Sequence, residues 1–144
     1  MSEEYRETVL LPFELSNGND GRGSKWFSSA KIRKSFEDSL RKLRMVRSPL
    51  LFPVRVTVTR ILGKGQRLWD SSSIGRGSWK ELEDALVVCG WFYDDSPKYI
   101  TTTDFRQDDC RRSTGPAVEL EIVQDGPPFG VAKGVAKMDL EESQ

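Results

Sequence analysis

Five residues in the middle of the chain carry most of the chemistry the sequence offers: Asp70, Lys80, Asp84, and the pair Asp94 and Asp95. Asp70 stands just past a strand and a loop, and "DDSP" at 94–97 reads as the turn after a helix. Lys80 falls in the first turn of that helix, with Asp84 four residues on and on the same face. A cation there opposes the helix dipole by roughly 0.3–1 kcal/mol, and Lys before Asp is the weaker i,i+4 order. Its position asks for a tertiary reason, such as a carboxylate cluster or a phosphate. Carboxylates at element ends beside a lysine suit Mg²⁺-dependent phosphodiester hydrolysis. Hard oxygens hold the ion, the ion polarises the phosphoryl group and activates water, and the lysine stabilises developing charge. Each residue also has a plain reading: Asp70 as an Asx-turn, 94–97 as an ordinary turn, Lys80 as a surface side chain.

Composition narrows the alternatives. The chain has 144 residues and no histidine, which removes histidine-based triads, general bases and metal sites. Cys89 and Cys110 form no CxxC pair and fit no zinc spacing, so they read as two reduced thiols in a cytosolic protein. No run of about 18 apolar residues is present, and "MSEEYRETVL" lacks the basic start and apolar stretch of a signal peptide. The expected setting is cytoplasmic. The zero net charge hides a division: residues 1–69 hold 14 Lys and Arg against 7 Asp and Glu, and residues 70–144 hold 8 against 15. Such a division fits a basic surface for a polyanion beside an acidic pocket, and it equally fits two halves that neutralise each other.

The elements that must place these residues follow from periodicity. "TVLLPF" (Thr8–Phe13) reads as a first strand, and Glu14–Trp26, dense in Gly, Asn, Asp and Ser, as a long polar loop. From Ser29 the apolar positions Ile32, Phe36, Leu40 and Leu43 recur at helical spacing. The rest of that helix carries Lys31, Arg33, Lys34, Arg41, Lys42 and Arg44, either a solvated surface or a set of cations for phosphates. "FPVRVTVTRIL" (Phe52–Leu62) alternates as a half-buried strand. Ser78 and Glu81 form a Ser-x-x-Glu capping-box signature for a helix whose apolar face is Trp79, Leu82, Ala85, Leu86 and Cys89, with Gly90 as its stop. A Thr-rich strand and "AVELEIV" (Ala117–Val123) complete the order β-α-β-α-β-β. The expected fold is a single α+β domain over residues 1–125, a mixed sheet with two helices packed on it, followed by a flexible tail at 126–144.

The order strand, "RLWDSSS", glycine-containing loop, "KELEDAL", glycine, "DDSPKYI", strand resembles the RusA-type Holliday junction resolvases of bacteria and phages. Their signature runs Asp-x-Asp-Asn, a variable loop, Lys-x3-Asp-Ala-Leu, a glycine ending the helix, then Asp-Asp-Ser. Asp70, Lys80, Asp84-Ala85-Leu86, Gly90 and Asp94-Asp95-Ser96 match it in order within residues 70–96, and "LPFELSN" is similar to the family's Pro…Ser-Asn opening. The resemblance covers Thr8 to Val123. It implies a homodimer that binds four-way DNA junctions in recombination and repair and makes paired nicks with Mg²⁺ or Mn²⁺. Asp70 and Asp95 would be the metal-ligating catalytic acids and Lys80 the essential lysine. Where the family has its second Asp and the Asn, this chain has Ser72 and Ser73. A hydroxyl at Ser72 can fill a coordination position but neutralises no charge, so weakened cleavage is expected unless Asp94, Asp84 or Asp104 moves in.

The expected DNA contacts are Arg67, which precedes the motif, with Lys31, Arg33 and Lys34 on the first helix and the glycine-flanked Arg22 and Arg76. The tetrapeptide "GRGS" occurs at 21–24 and 75–78, each time beside a Lys and a Trp. An arginine there can reach a phosphate and the Trp can stack on an unpaired base, while Trp26 and Trp79 as core residues and a chance repeat account equally for the pattern. Two other functions fit the same residues: a branched-DNA-binding protein of this fold that does not cut, and a small interaction domain with no nucleic-acid role.

Overall fold

The computed structural model describes residues 4–16, 28–70 and 77–130. The expected α+β domain is present, with the elements β1 (Arg6–Leu11), α1 (Ser29–Lys42), β2 (Val54–Ile61), α2 (Trp79–Val88), β3 (Ile100–Asp108) and β4 (Ala117–Gln124). The strands form one mixed sheet in the order β1-β4-β2-β3. β4 lies antiparallel between β1 and β2, and β3 pairs parallel with β2 at the far edge. β1 therefore runs in the same direction as β2 and β3, and α1 and α2 are crossovers between parallel strands. Ser29 Oγ donates to Glu81 Oε2 at the helix starts (2.7 Å), and Arg47 N donates to the Cys89 oxygen beyond their ends (3.0 Å), so the helices lie side by side and parallel. Among the described residues, no helix is long and apolar enough to cross a membrane.

The core is the seam between helices and sheet. Leu40, Leu82, Ala85 and Leu86 meet Val54, Val56, Val58, Val118, Leu120 and Ile122, all essentially inaccessible. Each buried Leu or Val removes enough apolar surface to stabilise the fold by about 1.5–3 kcal/mol. The apolar face expected for α2 is buried throughout, whereas Leu43, expected on the α1 face, is the C-cap of that helix and stands 48% exposed. Trp79 is a core residue, its ring edge-on to Phe105. The first strand starts two residues earlier than expected, where Arg6 pairs with Val123, and stops two residues earlier because Pro12 has no N–H to continue the ladder. Phe13 N bonds back to the Leu11 oxygen (2.8 Å), which still delivers the Phe13 side chain to the core. Beyond Asp125, Phe129 N donates to the Leu51 oxygen (2.7 Å) and the Phe129 ring packs on Tyr93 and Tyr99. The start of the expected tail is thus attached to the domain; residues 131–144 lie outside the described residues.

Both helices end in the same way, with different residues at the critical point. After α2, Gly90 N bonds to the Val87 oxygen and Trp91 N to the Leu86 oxygen, with Gly90 at φ +89°. After α1, Arg44 N bonds to the Arg41 oxygen and Met45 N to the Leu40 oxygen, with Arg44 at φ +59°. This is the Schellman arrangement, which calls for a left-handed residue. At Gly90 the requirement is doubled, since a Cβ would lie 1.7 Å from the Arg47 oxygen. The Arg47 guanidinium in turn covers the Trp91 ring (3.7 Å) and holds Glu7 on β1 with two bonds of 2.8 Å. Opposite outcomes are expected at the two equivalent positions. Gly90→Ala, combining backbone strain with a clash, should lose at least about 3 kcal/mol in urea unfolding. Arg44→Gly, at an exposed site, should gain roughly 0.5–1 kcal/mol.

Candidate functional site

The residues singled out in the middle of the chain meet around the Lys80 ammonium. It bonds to Asp95 Oδ2, lies 3.0 Å from Asp84 Oδ1 and 3.7 Å from Glu83 Oε1. Asp95 comes from the turn between α2 and β3, fifteen residues along the chain from Lys80. The tertiary reason for a lysine in the first turn of α2 is therefore Asp95, with Glu83 and Asp84 adding from the helix itself. The bonds to Asp95 and then Asp84 hold the Lys80 pKa well above its ordinary value, and the same bond to Lys80 holds the Asp95 carboxyl below its ordinary range.

Glu83 was not singled out by the sequence reading, because an acid in an amphipathic helix has no distinguishing local signal. It is nearly buried, 9% exposed, and burial pushes its pKa up to about 7 against the pull of Lys80, with Asp95 and Asp84 adding to the rise. Burial thus works against a charge on Glu83, while the bond to Lys80 favours one on Asp95.

The capping box expected at the start of α2 does not form. Ser78 is the N-cap, but its hydroxyl accepts from Ser16 N (2.8 Å), while Ser78 N donates to the Ser16 oxygen (3.2 Å). Glu81 turns to Ser29 Oγ on α1 instead of reaching back to Ser78. Both polar groups of the signature tie α2 to other segments, so the helix start is located by its neighbours.

Asp70 is exposed and is not one of the carboxylates on Lys80. It follows Trp69, whose backbone is held by the side chain of Gln107 on β3 and whose ring lies under the Arg60 guanidinium (3.7 Å). Asp94 is exposed beside Asp95. Among the described residues, the carboxylate oxygens of Asp70, Asp94 and Asp95 do not gather within 4.8 Å of one another; the group that does is Asp108, Asp109 and Cys110 on the surface. That group is already engaged, since Asp108 accepts from Cys110 N (2.8 Å) and from Arg111 (2.8 Å). Ser72, Ser73, Arg22 and Arg76 lie outside the described residues.

Asp70 and Asp95 supply hard oxygens of the kind Mg²⁺ takes, and one or two carboxylates with water are enough for that ion. Asp70 is a free donor among the described residues; Asp95 becomes one when Lys80 yields it. Cys89 is buried and Cys110 exposed, and neither is in a disulfide.

Of the expected DNA contacts, Lys31, Arg33, Lys34 and Arg67 are all exposed. Arg33 pairs with Glu37 (3.3 Å) and Lys34 with Asp38 (3.1 Å), both within α1. Lys31, Lys34 and Lys42 line an open groove of about 430 Å³ on the outer face of α1, together with Ser35, Asp38 and Ser39. Among the described residues one ion pair, Arg6–Glu121, crosses between the basic first half and the acidic second half, and the others stay within a half. The halves thus keep their charges largely separate at the level of direct pairs.

No protein-family model and no curated protein matches this chain.

The position of Glu83 gives a pH prediction. A carboxyl whose folded pKa is raised to about 7 favours the folded state most below its unfolded pKa of about 4.3, and that contribution is lost as the pH rises through 7. Glu83→Gln should therefore be close to wild type in unfolding free energy at pH 4 and more stable at pH 8, by at most about 4 kcal/mol. Urea melts at the two pH values measure the difference, and a variant equally destabilised at both would contradict it.

Proposed function

We propose that the protein is a structure-selective, Mg²⁺-dependent DNA endonuclease of the Holliday junction resolvase type, acting on branched DNA with reduced cutting power. The observation that supports this reading most is the meeting of Lys80, Asp84 and Asp95: two separate pieces of the RusA-like signature converge on one ammonium group. In this reading Asp70 and Asp95 hold the ion, which polarises the phosphoryl group and activates water when bound. Lys80, beside Asp95, would offer a positive charge for a phosphate oxygen to share. The α1 groove, with Lys31, Lys34 and Lys42, offers the duplex arms a basic track whose contacts are independent of sequence. The exposed Arg67 adds a cation just ahead of Asp70.

One observation favours a second reading, a branched-DNA-binding protein that does not cut. The cation bonded to Asp95 is the chain's own lysine, and Asp70, Asp94 and Asp95 assemble no three-carboxylate site.

Incubation with a synthetic four-way junction and with linear duplex, with and without millimolar Mg²⁺, separates the readings. The endonuclease gives junction-selective nicks that fall by at least about 100-fold in Asp95→Asn and in Lys80→Met while junction binding persists. Restoring the missing acid with Ser72→Asp should speed the nicking. Metal-independent binding without nicks under either Mg²⁺ or Mn²⁺ supports the binder. Absence of binding to either DNA at low salt, where phosphate contacts are strongest, sinks both.

A further inference from the structure

Resting on the reading of Asp70 as a metal-ligating acid, we propose that Gln107 and Arg60 are positioning residues that fix the backbone from which the Asp70 carboxylate is presented. Residues 62–70 leave the end of β2 without regular structure, and their backbone groups need partners elsewhere. Trp69 finds both of its partners on one side chain. Its N–H donates to Gln107 Oε1 (2.8 Å), and its oxygen accepts from Gln107 Nε2 (2.9 Å). A primary amide presents an acceptor and a donor side by side, as a neighbouring strand does. Gln107, one residue from the end of the edge strand β3, thus adds Trp69 to the sheet as a strand of one residue.

Those two bonds orient the peptide planes on both sides of the Trp69 Cα, and the second of these planes contains the Asp70 nitrogen. The remaining freedom of the carboxylate lies in Asp70 itself.

Arg60 sets which way the amide faces. It sits directly opposite Gln107 in the β2–β3 register, only 4% exposed, and its Nη1 donates to Gln107 Oε1 (2.9 Å) and to the Arg67 oxygen (2.9 Å). With Arg60 and Trp69 N–H both pointing at one amide atom, that atom must be the oxygen, and the NH₂ is left for the Trp69 carbonyl. The guanidinium also lies on the Trp69 ring at 3.7 Å, so it holds the residue from its face while Gln107 holds it by its backbone. Among the described residues Arg60 has no carboxylate within ion-pair distance, and burial lowers its pKa. A buried cation is costly without an anion. Here its hydrogen bonds go to Gln107 and to Arg67, and its face to Trp69, so two of the three contacts lie on the segment that leads to Asp70.

The test uses the full chain and Gln107→Met, which keeps the side-chain volume and removes both bonds. Hydrogen exchange followed by NMR should show the Trp69 amide losing its protection while the core strands keep theirs. Mn²⁺ affinity, read by paramagnetic broadening, should fall about ten-fold or more, the usual consequence of losing an outer partner of a metal ligand. Gln107→Glu, which still accepts from Trp69 N–H and Arg60, should recover part of the loss. In an Asp70→Ala background, Gln107→Met should cost no further affinity. Retained protection at Trp69, unchanged Mn²⁺ affinity in Gln107→Met, or an equal loss in the Asp70→Ala background overturns the proposal. Failure of the wild-type chain to bind Mn²⁺ overturns the reading of Asp70 on which it rests, and appears in the first titration before any variant is compared.

Discussion

The fold depends on one strand in an unusual place. β1 and β2 run in the same direction, but they do not touch each other; β4, the last strand in sequence, fills the space between them and bonds to both. Its inward residues Val118, Leu120 and Ile122 are wholly buried, so β4 is also the floor on which the two helices rest. Without its hydrogen bonds the sheet divides into a lone β1 and the β2–β3 pair. The join also brings the segment after β1 to the start of α2. Asp95 and Lys80 belong to the β2-α2-β3 unit, whereas Ser16, which locates the start of α2, hangs from β1.

Much of this was legible in the sequence, and the reasons are specific. The alternation of Val54, Val56 and Val58 and the spacing of Leu82, Ala85, Leu86 and Cys89 each reflect one buried face, and one buried face is what those residues have. Lys80 was legible because it was locally in the wrong place; a side chain that opposes the dipole of its own helix needs a partner from elsewhere, and Asp95 is that partner. The position of β4 was not legible, because alternation reports a buried face and is silent about which strands flank it. The Ser-x-x-Glu signature misled for a related reason. The same hydroxyl and carboxylate that can close a helix on itself can instead accept from Ser16 and Ser29, and the choice is made by tertiary neighbours.

Gln107 illustrates the limit most clearly. A glutamine in a Thr-rich edge strand has no local signature, and its partner Trp69 lies 38 residues away in a segment without periodicity. Arg60 is only partly hidden. Alternation places it on the buried face with Val54, Val56 and Val58, but the register is needed to show that its partner there is Gln107. Positioning groups of this kind are invisible to motif reading because their chemistry is directed at the backbone.

Among the described residues no strand pairs with the outer edge of β3, and this has a consequence for behaviour at high concentration. An unpaired row of backbone groups is a template on which a second chain can build, and it is a common start for aggregation. Here the exposed positions of that strand are Thr102, Asp104 and Arg106, a hydroxyl, an acid and a base in succession. An incoming strand would have to place suitable partners opposite Asp104 and Arg106 and a polar or small residue opposite Thr102. That succession of side chains makes the edge poorly suited to indiscriminate stacking.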